Sequence, residues 1–94
     1  YAAPEQLRAE PVDGRTDLHA LGLLLYEHST GQHPFRADDF RGVMKHVCES
    51  EPRRLGDINP QLSAFFEEVV HTLLAKSADD RFASADELLA VLED

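Results

Sequence analysis

The stretch Asp17-Leu18-His19-Ala20-Leu21-Gly22-Leu23-Leu24-Leu25-Tyr26-Glu27-His28-Ser29-Thr30-Gly31 decides the fold. Thr16 or Asp17 can cap a helix here by accepting a hydrogen bond from a free N–H of the first turn. The helix is expected from Leu18 to Thr30. Gly31 can take the left-handed conformation that ends a helix, and Pro34 lies just beyond. Leu18, Ala20, Leu21, Leu23, Leu24, Leu25 and Tyr26 leave almost no polar face. A helix that is apolar all round belongs inside a protein. A chain of 94 residues can hardly wrap one helix on every side, so the reading expects a piece of a larger domain.

The flanks read as helices and loops. Pro4 suits the first turn of a short helix over Glu5 to Ala9, and Pro11 and Gly14 then make a loop. Beyond Gly31, Phe40, Val43, Met44 and Val47 fall at i, i+3, i+4 and i+7, an amphipathic stripe that predicts a helix over Ala37 to Cys48. Asp38 and Asp39 are expected in its first turn, where the helix dipole favours negative charge. Glu51 to Pro60 holds Pro52, Gly56, Asn59 and Pro60 and reads as a loop. Leu62, Phe65, Phe66, Val69, Val70, Leu73 and Leu74 keep helical spacing and predict a helix over Gln61 to Lys76. Ser77 to Ala83 is a polar connection. Ser84 with Glu87 three residues on has the capping-box spacing, and opens a last helix with Leu88, Leu89, Val91 and Leu92 on its apolar face. Strand signals are almost absent, so the fold class is mainly α.

Composition narrows the function classes. Nine Lys and Arg stand against 18 Asp and Glu, a net charge of -9. Nucleic-acid backbones and anionic membranes both need clustered cations, so neither is an expected partner. Apolar residues make up 43% of the chain, which argues against disorder. The single cysteine, Cys48, cannot form an internal disulfide, and a reducing, cytoplasmic setting is expected. The longest apolar run, Ala20 to Tyr26, is too short to span a bilayer. No signal peptide opens the chain, and Tyr1-Ala2-Ala3-Pro4-Glu5 reads as the middle of a longer protein.

Three separated motifs carry more specific information. They are Tyr1-Ala2-Ala3-Pro4-Glu5; Asp17 to Gly22 continuing to Thr30-Gly31 and Pro34-Phe35; and Asp79-Asp80-Arg81-Phe82-Ala83-Ser84 leading into Glu87-Leu88-Leu89. In this order and spacing they resemble the C-terminal lobe of eukaryotic-like serine/threonine protein kinases. Ala3-Pro4-Glu5 looks like the motif that closes the activation segment. Tyr1 before it is similar to the serine/threonine rather than the tyrosine kinases. Asp13 to Asp17 and Asp80 to Ser84 are similar to the bacterial members. The resemblance covers essentially the whole chain. It implies that residues 1–94 are the C-terminal portion of a catalytic domain, within the helical lobe of the kinase fold.

The resemblance also implies roles. Glu5 pairs with Arg81 and ties the activation segment to the lobe. Asp17 holds the backbone of the catalytic loop. Leu24 and His28 fall where the family's internal apolar columns stand, and Glu27 is offered as a contact for basic substrate residues. A plain helix-end carboxylate is the favoured reading of Glu27. His19 stands where Trp or Tyr is usual, His28 where Met or Leu is usual, and Phe82 where Pro is frequent. The parent is expected to move the γ-phosphoryl group of ATP, with Mg²⁺, to Ser or Thr of a protein substrate. No Gly-x-Gly-x-x-Gly, His-Arg-Asp or Asp-Phe-Gly occurs in the 94 residues. No catalytic, cofactor-binding or metal-binding residue is therefore assigned here, and the segment alone is expected to be inactive.

Plainer readings compete at the other polar residues. His46-Val47-Cys48 is a tight His/Cys cluster without a second pair at zinc spacing, so surface or packing roles are favoured. The adjacent carboxylates Asp38-Asp39, Glu67-Glu68 and Asp79-Asp80 point different ways and read as solvated helix starts and faces. Cys48 reads as a small buried group. A pseudokinase or scaffold lobe that acts by protein binding is the alternative function, since all these features are architectural. An independent helical interaction module is the third reading.

Overall fold

The computed structural model describes residues 2–37 and 39–93. Tyr1, Asp38 and Asp94 lie outside the described residues, and with them the subtype reading on Tyr1 and the first-turn role of Asp38. Six α-helices follow one another: α1 Pro4–Leu7, α2 Gly14–Thr30, α3 Phe40–Glu49, α4 Leu55–Ile58, α5 Ala64–Leu73 and α6 Ala85–Glu93. A 3₁₀ turn, Ala78–Asp80, precedes α6. Among the described residues there is no strand, as the mainly α reading expects.

Capping chemistry sets the boundaries and corrects several expectations. The central helix α2 begins at Gly14, four residues earlier than Leu18. Its cap is Asp13, not Thr16 or Asp17. The Asp13 carboxylate accepts from the Arg15 N–H at 2.9 Å, and the Thr16 hydroxyl accepts from the Asp13 N–H at 3.3 Å. These two bonds satisfy first-turn donors reciprocally, as a capping box does. Gly31 ends the helix at φ 75°, its N–H donating to the Glu27 carbonyl at 2.8 Å.

Helix α3 starts at Phe40 because the Asp39 carboxylate takes the Gly42 N–H at 2.7 Å, so Asp39 is the cap rather than a first-turn residue. Helix α5 is shorter than Gln61 to Lys76, because the Ser63 hydroxyl caps it on the Phe66 N–H at 3.0 Å. The loop expected over 51–60 contains the short helix α4. Helix α1 stops at Leu7, and Ala9 turns the chain with φ 57°. The last helix follows its expected start, with the Ser84 hydroxyl accepting from the Glu87 N–H at 3.2 Å.

Packing centres on the α2–α5 contact. Gly22 allows the close approach: a Cβ there would stand 2.8 Å from the Leu73 Cβ. Around this contact lie two apolar clusters. One holds Leu23, Tyr26, Phe35, Leu55, Val70 and Leu74. The other holds Leu18, Val69, Leu73, Phe82 and Leu88. The molecule measures 38 × 30 × 16 Å. A helix with its side chains is about 10–12 Å across, so a body 16 Å thin cannot cover α2 on both sides.

That thinness decides where the apolar residues of α2 end up. Thr16, Leu18, His19, Gly22, Leu23 and Tyr26 are buried. Leu21 and Leu24 are exposed, Leu24 by 50%. Phe40 on α3 and Phe65 on α5, both members of the predicted apolar stripes, are also exposed. Cys48 is half-buried rather than buried.

Candidate functional site

Arg81 forms the centre of a buried polar cluster that joins four segments. Its residue is placed by the 3₁₀ turn, whose cap is the Ser77 hydroxyl. The guanidinium meets Glu5 on α1 in a two-pronged pair, Nη1 to Oε2 at 2.7 Å and Nη2 to Oε1 at 2.9 Å. Nη1 also donates to the Arg15 carbonyl at 3.1 Å in the first turn of α2. Nε donates to the Ala75 carbonyl at 2.9 Å, and Nη2 to the Lys76 carbonyl at 3.4 Å. A guanidinium has five N–H groups in a planar fork, and this arrangement uses all of them.

Glu5 is satisfied from the other side as well. The Thr16 hydroxyl donates to Glu5 Oε2 at 2.7 Å. The hydrogen bond from Arg81 is the largest influence on Glu5, and it outweighs the upward push of burial. With Thr16 adding to it, the carboxyl is held at about 2, well below its ordinary 4.5. Both partners of the pair are buried. Removing one member of such a pair strands the other in a low-dielectric setting, at roughly 3–5 kcal/mol. An exposed pair runs alongside: Arg15 bridges Asp13 at 2.9 Å and Asp79 at 2.6 Å. Exposed pairs of this kind contribute little, because solvent screens them.

A second polar tie lies at the end of α5. Lys76 Nζ donates to the carbonyls of His46 at 3.2 Å and Val47 at 2.8 Å, in the last turn of α3. The ammonium also stands 4.0 Å from the centroid of the Phe35 ring. Burial lowers Lys76 to about 8. Its neighbour His19 stacks on the same Phe35, with centroids 6.5 Å apart. His19 is fully buried, and neither ring nitrogen has a hydrogen-bond partner among the described residues. Burial, aided by the charge of Arg81, drives His19 down to about 3, so the ring is neutral.

The remaining residues singled out in the sequence stand apart from this cluster. Asp17 lies inside the first turn of α2 rather than at its start, and its exposed side chain has no hydrogen-bond partner among the described residues. Leu24 and His28 are exposed within these 94 residues rather than internal, because the uncovered face of α2 carries them. Glu27 is half-buried and shares a shallow groove with Leu24, His28 and Gly31. Among the described residues, no group of three or more His, Cys, Asp and Glu side chains converges as a metal site. Among the described residues, no helix is long and apolar enough to cross a membrane.

Sequence reasoning missed three participants. Thr16 was read as a cap and serves as the second donor to Glu5. Lys76 carried no signal, since a lysine after an apolar stripe usually ends a helix in solvent. The orphaned ring of His19 had a faint signal, a polar residue amid an apolar run.

The fold is that of the helical lobe of protein kinases. All of the chain superposes on the titin kinase with its flanking domains at a TM-score of 0.88 and 27% identity, covering 17% of that chain. The autoinhibited serine kinase domain of titin matches at 0.87 and 25%, and there the chain covers 30%. By sequence, the chain is 41% identical over 98% of its length to the serine/threonine-protein kinase PknB of Mycolicibacterium smegmatis. It is 39% identical over 99% of its length to a probable serine/threonine-protein kinase of Corynebacterium efficiens. No protein-family model matches it. Over nearly its whole length the chain matches a segment of serine/threonine protein kinases, and these two curated relatives are bacterial. It spans about 15% of the length of the curated relatives it matches.

Proposed function

We propose that residues 1–94 are the C-terminal portion of the catalytic domain of a serine/threonine protein kinase. The protein that carries them moves the γ-phosphoryl group of ATP to a Ser or Thr hydroxyl of a protein substrate. Positioning and charge neutralisation by Mg²⁺ dominate such transfers. The groups that hold ATP and Mg²⁺ lie outside these residues, and the setting is cytoplasmic. The segment contributes rigidity at one place. Glu5 fixes the end of the activation segment to Arg81, and through Arg81 to the start of α2 and the chain just past the end of α5. Asp17 reaches from its exposed turn toward the catalytic-loop backbone. Leu24 and His28 pack against the rest of the lobe, and the groove beside Glu27 belongs to the face that docks the substrate.

The observation that carries this reading is the buried, fully hydrogen-bonded Glu5–Arg81 pair, 76 residues apart in sequence. It is tested by phosphotransfer from labelled ATP with the protein at its full natural length. Transfer to Ser or Thr, sharply reduced in Arg81→Ala, is the expected result. Residues 1–94 alone should give only background. No transfer by the full-length protein would sink the kinase reading and favour the scaffold one. Full transfer by Arg81→Ala would sink the anchoring role.

A further inference from the structure

The crossing from α3 to α5 is held by two side chains one helical turn apart on α5. The Leu55 N–H donates to His71 Nε2 at 3.2 Å, and the Gly56 N–H donates to Glu67 Oε1 at 2.9 Å. These are the first two amides of α4, whose preceding residue, Arg54, supplies no capping acceptor. The first amides of any helix lack partners within it, and here α5 provides them. A carboxylate accepts throughout the neutral range. A histidine nitrogen accepts only while it carries no proton. The observed bond therefore places the ring proton of His71 on Nδ1.

The geometry points to α4 as a pH-sensitive latch: a proton on His71 Nε2 turns the acceptor of the Leu55 N–H into a donor and releases residues 51–58 from α5. Two N–H groups then face each other, and Leu55, fully buried in the closed form, loses its seat. The remaining ties of the crossing are the Tyr26 hydroxyl on the Arg53 carbonyl at 2.6 Å, Glu67 on Gly56, and the partly exposed ion pairs of Arg54 with Glu68 at 2.7 Å and Glu67 at 3.4 Å.

The surroundings of His71 determine when this happens. On its own helix stand Glu67 and Glu68. The crossing contributes Glu51 and Arg54, and α2 presents the Tyr26 ring, whose centroid is 6.2 Å away. Lys76 and Asp80 line the same groove. Burial, helped by Arg54, outweighs the three glutamates and holds the closed-state ring below its ordinary 6.5. The open form therefore binds the proton first. The latch is at full strength above about 6.5 and weakens as pH falls toward the closed-state value.

Hydrogen exchange of the protein at its full natural length, read by mass spectrometry and corrected for intrinsic rates, tests this. Protection of the peptide spanning 53–58 should fall about tenfold between pH 7 and pH 5, while that of α6 stays level. His71→Gln keeps an acceptor that does not titrate, and should hold the change below about twofold. The same fall in His71→Gln, or no fall in the unaltered protein, overturns the latch. His19→Phe removes the fully buried histidine of the core and gives an independent check, should His71→Gln misfold. Persistence of the fall in His19→Phe supports the latch, and its disappearance assigns the titration to the core and overturns it.

Discussion

The cluster around Arg81 and the outer face of α2, α5 and α6 are built in opposite ways. At Arg81, all five guanidinium donors and both oxygens of Glu5 meet partners within the chain. On the outer face, Leu21, Phe65, Leu89 and Leu92 are exposed. A buried charge is tolerable only when its partners are fixed in place. An apolar face asks only for area, which any cover of suitable shape supplies. The chain completes the directional interactions itself and leaves the non-directional ones open. His19 falls between these cases. It is as buried as Arg81, yet its ring nitrogens are as unpartnered as a leucine.

The largest effect should come from breaking the closed side. Arg81→Ala leaves Glu5 buried without its counter-charge and should lower unfolding stability by roughly 3–5 kcal/mol. Chemical denaturation reads this directly, and a loss under about 1 kcal/mol would place the pair among ordinary surface ion pairs. Acid should act on the same contact. The depressed Glu5 contributes stability that is fully present above 4.5 and lost as pH falls toward about 2. Melting curves across that window should lose this dependence in a Glu5→Gln variant.

Next in size is the helix contact itself. Gly22→Ala puts a methyl 2.8 Å from Leu73 Cβ, and overpacking of this kind costs about 1–3 kcal/mol. The gain in helix propensity, about 1 kcal/mol, offsets part of it. An unchanged melting temperature would show that α2 and α5 can separate freely. His19→Phe should work in the other direction. It removes an unsatisfied buried group and should raise stability by about 1 kcal/mol. It should also flatten the loss of stability expected as pH falls from 6.5 toward about 3, the folded-state value of His19. The smallest effect belongs to the open side. Leu92→Glu in the 94-residue chain should shift stability by less than about 0.5 kcal/mol. A loss well above that would mean the face is already closed.

Much of the architecture was legible in the sequence. The apolar spacing located α2, α3, α5 and α6, because an amphipathic stripe is a local property of period 3.6. Gly31 and Ser84 marked helix ends correctly, because their side chains or backbone freedom act within one turn. The starts of α2 and α5 were misplaced, because Asp13, Thr16 and Ser63 each had a competing cap nearby and only backbone geometry chooses among them. Helix α4 was missed altogether. Four residues between prolines carry no periodicity, and its first amides are satisfied from α5, 11 and 16 residues away.

The chemistry-bearing residues divide along the same line. The motifs around Ala3-Pro4-Glu5, Asp17 to Gly22 and Arg81 were sufficient to suggest the family, and the relatives share it. The sequence alone also determined the helical class, the acidic surface and the central place of α2, since composition and period follow from residue types. The tertiary structure decided which side of α2 is covered, that Thr16 and Lys76 join the polar network, and that His19 has no hydrogen-bond partner among the described residues while His71 caps α4. Each of these depends on where a donor meets an acceptor across tens of residues. Hydrogen bonds form only within about 3.5 Å, and no local pattern in the chain encodes such a distance.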